Sequence, residues 1–278
     1  MLRAWLIFWL IFWLMAGEAA AHGMLDEQLA ELNRAIAQLP GNATLHLKRG
    51  ELHRKHRDWQ AALADFDAAR RLDPGVVEVD LAQARLAMDR GDPSVAREAL
   101  GRYLAAQPNS EVGHAMRAQL HDRMGLHAAA AADHASAIRH SSDPRVEYFL
   151  GQARAFAAAG DVEAGLAAAD AGLARLGPLP VLEQWAIAAL VQARRWDEAL
   201  ARLDRLIATA PRKETAWTQR ADILALAGRS ADSRAAFEAA RTHWDRLPER
   251  IRTTQAMLDL RQRIDAGLTQ THAAARTE

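Results

Sequence analysis

The 278-residue chain contains no cysteine. That absence removes disulfides, thiol catalysis and thiolate-ligated zinc together. Lysine is nearly missing too. It stands only at Lys48, Lys55 and Lys213, and arginine carries the remaining positive charge. Charge of either sign is not in excess: basic and acidic residues number 35 each. A nucleic-acid-binding chain shows a basic footprint, which this one lacks. The charges are also mixed along the sequence, with no acidic or basic block. β-branched residues do not alternate with polar ones, so no sheet is expected. No glycine-rich phosphate loop and no Gly-x-Ser-x-Gly elbow occurs. Neither catalysis nor a cofactor is therefore expected.

Half of the residues are hydrophobic, many of them alanine, and only nine are proline. Alanine has the highest helix propensity, so the composition favours helix. One long apolar run is present, Trp5 to Met15, preceded by Arg3 and followed by Ala19, Ala20 and Ala21. This is the layout of a secretory leader cleaved between Ala21 and His22. Eleven apolar residues fall well short of the ~20 that span a bilayer. The expectation is an exported protein with no stable membrane span after cleavage.

The prolines recur. Pro40, Pro74, Pro108, Pro144, Pro178 and Pro211 follow one another at steps of 34, 34, 36, 34 and 33 residues. Each one marks a place where a helix stops. A period of 34 is the signature of a helix-turn-helix repeat array. Inside the periods, small and large apolar residues return at fixed offsets. Gly50, Trp59, Ala62, Phe66 and Ala69 are matched by Ala84, Ala96, Leu100 and Tyr103, and later by Trp217, Ala221, Phe237 and Ala240. On these residues the chain resembles the tetratricopeptide repeat family over roughly residues 25–245.

The resemblance implies an all-α, right-handed superhelix of about six helix-turn-helix units. The expected division is a leader at 1–21, a half repeat at 22–40 and an array at 41–247. The repeats fall at 41–74, 75–108, 109–143, 144–178, 179–211 and 212–247. A capping helix at 248–268 and a disordered tail at 269–278 complete the chain. Pro93 is expected at the start of a second helix. Ser230 and Ser233 replace small or apolar residues, so the sixth repeat is expected to pack more weakly.

The resemblance also implies a groove lined by the first helix of each repeat, holding a segment of a partner protein. Position by position, the candidates are Arg54 and Lys55, then Leu81, Arg85 and Met88, then Arg123. Leu150 and Arg154 follow in the fourth repeat, Gln184 in the fifth and Thr218 in the sixth. Arginine forks grip carboxylates, which makes an acidic segment one possible ligand. Solvated charges balanced by Glu51, Glu78, Asp89, Asp122 and Glu147 are the competing account. Five histidines, from His114 to His140, crowd the third repeat. His114, His121 and His134 offer an alternative, a metal or pH-responsive site. The simpler reading sets them at offsets where the family packs aromatic rings. The expected function is an exported scaffold, in a bacterial periplasm, that holds a protein partner.

Overall fold

The structure, a computed structural model, describes residues 26–274. The expected leader lies outside the described residues. Among these there are helices and turns but no strand, and no helix is long and apolar enough to cross a membrane. The chain is all-α and divides into two units, one ending at Pro144 and one beginning at Arg145. The division falls at the end of the "HSSDP" stretch, where the proline spacing is two residues longer than 34.

In the first unit, α1 runs over 26–38. Three helical hairpins follow: α2 (Ala43–Lys55) with α3 (Trp59–Leu72), α4 (Glu78–Arg90) with α5 (Pro93–Ala106), and α6 (Glu111–Arg123) with α7 (His127–His140). The second unit holds α8 (Val146–Ala158) with α9 (Val162–Leu176), α10 (Pro180–Gln192) with α11 (Trp196–Thr209), and α12 (Glu214–Leu226) with α13 (Ser230–Asp245). It closes with α14 (Glu249–Arg252) and α15 (Gln255–Ala274).

One backbone device makes every hairpin. Residues 57, 91, 125, 160, 194 and 228 all take positive φ between the paired helices. One residue then separates that turn from the second helix in every hairpin. The following amide donates back to a carbonyl five residues earlier: Asp58 to His53, Asp92 to Ala87, Leu126 to His121, Asp161 to Phe156, Arg195 to Leu190 and Arg229 to Leu224, all at 2.8–2.9 Å. This is the left-handed helix ending that satisfies the last carbonyls and reverses the chain. Glycine occupies four of the six positions; Arg57 and Arg194 occupy the others, at φ 62° and 56°. Second helices then start on caps, with Asp58 accepting from Ala61 N and Asp161 from Ala164 N, or on Pro93, which needs no donor at the first position.

The paired helices pack through small residues. A Cβ on Gly50 would meet the Phe66 ring at 2.5 Å, so α2 can rest on α3 only with glycine there. Phe66, Ala62 and Ala69 are fully buried with Val79 and Leu86 of the next hairpin, so the core runs from one repeat to its neighbour. In the second unit Leu166, Ile187, Leu203, Leu224 and Phe237 belong to one continuous core.

Two expectations need correction. The tail does not begin at 269: α15 continues to Ala274 because Leu260, Ile264 and Leu268 bury against the α12–α13 hairpin and Thr271 is buried beyond them. The sixth repeat is not loosened by Ser233, which is fully buried and donates to Ala221 O at 2.8 Å. That bond satisfies the hydroxyl on the neighbouring helix.

Arginine in the left-handed region carries a steric penalty that glycine does not. We expect Arg57→Gly and Arg194→Gly each to raise stability by about 0.5–1 kcal/mol. Urea unfolding would read this directly, and a loss of stability in either variant would show that the turn geometry is wrong.

Candidate interaction groove

First helices of the first unit carry the expected cations, and most of these meet partners within the protein. Arg54 Nε donates to Glu51 at 2.9 Å, and its Nη1 pairs with Asp89 of the next repeat. Arg85 donates to the other oxygen of Glu51 at 3.1 Å. One carboxylate thus bridges two arginines, and the ladder crosses from α2 to α4. Arg123 is exposed and donates to Met88 O, at the end of α4, at 3.2 Å. These three guanidiniums act between neighbouring repeats.

An open groove of about 760 Å³ lies over α1, α2 and α4. Leu32, Ala35, Leu47, Leu52 and Leu81 supply its apolar lining, and Glu31, Lys48, Glu51, Lys55, Glu78 and Arg85 its charges. Leu81 reaches it from a site only 7% exposed, so it forms the floor and does not project. Lys48 and Lys55 are exposed, and among the described residues neither has a carboxylate within ion-pair distance. Lys55 belongs to the sequence candidates; Lys48, Glu31 and Leu32 do not. The signal for Lys48 was the seven-residue spacing to Lys55, which puts both on one side of α2. Met88 and Arg123 line a smaller recess of about 410 Å³ with Pro93, Leu120 and Met124.

In the second unit, Leu150 is half-buried and Arg154 exposed on α8. Gln184 lines a separate recess of about 530 Å³ with Pro178, Leu206 and Pro211, and accepts a hydrogen bond from Gln219 at 3.1 Å. Thr218 is no groove residue. It is 1% exposed, and its hydroxyl donates to Glu214 O within its own helix.

The histidines gather around buried carboxylates. Arg117 on α6 grips Asp133 on α7 through two hydrogen bonds, at 2.6 and 2.9 Å. His114 Nδ1 lies 3.3 Å from one Asp133 oxygen and takes Pro108 O with its other nitrogen at 2.9 Å. His121 Nδ1 is 3.0 Å from the second oxygen, out of line for a hydrogen bond. The same set recurs 68 residues earlier: Arg49 grips Asp65 at 2.6 and 2.8 Å, with His46 and His53 beside it. His134 turns to a different carboxylate, with Nε2 3.7 Å from Asp122. His114, His121 and His134 therefore do not converge on one point, and among the described residues no group of three or more such side chains is placed to hold a metal ion. Their geometry supports a structural role: in the first and third hairpins, imidazole and guanidinium pin the first helix to the second.

Burial pushes the Asp133 carboxyl up, but the Arg117 guanidinium and the two imidazoles outweigh it and hold the group below the usual carboxylate range. Burial pushes His134 down, against the pull of Asp122.

The architecture is that of a helical-repeat array with open faces. Two models described as "Tetratricopeptide repeat" match it, one at residues 53–120 and the other at 18–77 and 187–248. The chain carries tetratricopeptide repeats. Solved structures agree on the fold. A tetratricopeptide repeat protein from Parabacteroides merdae is 15% identical, with a TM-score of 0.52, covering 91% of this chain and 94% of that one. PilW, a type IV pilus biogenesis factor, is 15% identical with a TM-score of 0.51, over 78% of this chain and 97% of PilW. Naa15/Naa10 bound to HypK-THB gives 18% and 0.52, over 81% of this chain and 35% of the matched chain. No curated protein matches the sequence.

His134 sets a pH dependence. An unfolded imidazole titrates near the ordinary value of about 6.5. The folded value is lower, so below that pH the unfolded state binds more protons. The contribution is complete above about pH 6.5 and is lost as pH falls. Asp133 acts in the same sense further down, its contribution present above about 3.9 and lost as pH drops through its depressed value. We expect the urea midpoint to fall from neutral pH to pH 5.5 and to fall less in His134→Gln. Equal declines in the two proteins would rule out the assignment.

Proposed function

We propose that the protein is an exported scaffold, working in a bacterial periplasm, that holds a segment of a partner protein against its repeats and performs no chemistry on it. The observation that carries this reading is the open, apolar-floored groove over α1, α2 and α4. It has the character of a docking surface: half-buried Leu and Ala side chains bordered by charge. Export rests on the Arg3, Trp5–Met15 and Ala19–Ala21 pattern of the leader.

The arginines support the scaffold role differently from a carboxylate clamp. Arg54 and Arg85 are neutralised by Glu51 and Asp89, which stiffens the wall of the groove. An acidic partner segment would therefore meet mainly the lysines.

Affinity capture from a periplasmic extract tests the function. The chain without its leader should retain a specific partner. Leu47→Asp, which puts a charge on the apolar lining, should lose it while keeping the helical circular dichroism of the parent. Retention by both proteins would exclude this groove. N-terminal sequencing of the protein from intact cells should begin at His22; a chain still starting at Met1 would contradict cleavage.

A further inference from the structure

The lysine distribution and the ion-pair map point to the same groove. The sequence has three lysines, and two of them, Lys48 and Lys55, line it. The arginines on the first helices of this unit behave otherwise. Arg49, Arg54, Arg85, Arg117 and Arg123 each donate to a group of the protein itself. Arginine thus supplies the fixed internal contacts, for which its planar fork is suited. Lysine, a hydrated point charge on a flexible stem, is placed where no internal partner meets it.

The two ammoniums are also spaced for a ligand. Seven residues on α2 amount to two turns, a rise of about 10.5 Å. Glutamates seven apart on a second helix would have the same separation. Between and beside the lysines lie Leu32, Leu47, Leu52 and Leu81, an apolar lining that a helix can cover with residues at i, i+3, i+4 and i+7. Glu31 of α1 and Glu78 of α4 line the groove as well, and neither is paired among the described residues. They suit basic residues elsewhere on the same ligand.

We infer that this groove takes an amphipathic helix of a partner protein, apolar along one face, with carboxylates two turns apart set against Lys48 and Lys55. The inference rests on the scaffold reading and names the chemistry of its partner. It places recognition on the lysines and makes Arg85, paired with Glu51, part of the wall.

The probe is a fluorescein-labelled peptide of about 18 residues, five helical turns, with Leu at i, i+3, i+4 and i+7 and Glu pairs seven apart. Its control carries Gln at the Glu positions. Anisotropy is measured on the full chain without its leader, on Lys48→Gln/Lys55→Gln and on Lys213→Gln. The Glu peptide should bind the parent and Lys213→Gln alike, and bind the double variant about tenfold more weakly, as two exposed ion pairs allow. Added salt should weaken the parent complex and leave the double variant nearly unchanged. Equal binding of the two peptides, equal binding by parent and double variant, or no binding by either peptide overturns the inference. So does light scattering that shows a dimer from which the peptide cannot displace a copy, since a second chain then fills the groove. A captured partner retained equally by the double variant sinks this inference and leaves the scaffold function standing.

Discussion

An arginine fork closed on a buried carboxylate holds the hairpins of the first unit together. Asp133 is 5% exposed, and a charge so placed is tolerable only when its oxygens are fully met. Arg117 meets both oxygens, with His114 and His121 beside it. Asp65 receives the same treatment from Arg49, His46 and His53. The middle hairpin uses a variation: Asp80, buried on α4, takes Arg70 from the preceding repeat and Arg102 from its own second helix, both at 2.8 Å. Each contact fixes the position of one helix against the next and therefore decides which side chains face outward.

That arrangement explains why arginine–carboxylate pairs recur inside and between the hairpins. Every repeat needs cations to satisfy carboxylates inside and between hairpins, and arginine does this with more than one hydrogen bond per residue. The second unit follows the same economy: Arg202 joins Asp170 of the preceding repeat to Glu183 of its own. In the groove over α1, α2 and α4, Glu51 and Arg85 take part in this pairing, while Lys48, Lys55, Glu31 and Glu78 line it without an ion pair among the described residues. A repeat array stabilised by neighbours in this way can leave a face open without losing its fold.

Much of the architecture was legible in the sequence. Pro40 through Pro211 gave the period, and Gly91, Gly125, Gly160 and Gly228 fell on the turns where φ is positive. The turns at Arg57 and Arg194 kept the same conformation without glycine, because the period and the packing around them impose it. The site was less legible. Arg54 and Arg85 read as groove cations, but a sequence does not show that Glu51 lies between them. The carboxylates Asp65 and Asp133 were missed because acidic residues on helices are usually solvated. The available signal was a set of four, His46-Arg49-His53-Asp65, repeated at the same spacing as His114-Arg117-His121-Asp133. Thr218 could not be told from a groove residue because burial at a repeat junction depends on the next helix.

The most direct test of this account is a double-mutant cycle at the third hairpin, with Arg117→Gln, Asp133→Asn and the pair, each measured by urea unfolding. A fork on a buried carboxylate predicts strong coupling, with the double variant more stable than the sum of the single losses allows, by about 1–3 kcal/mol. Additive losses would mean that the two side chains act independently and that packing alone holds α6 on α7.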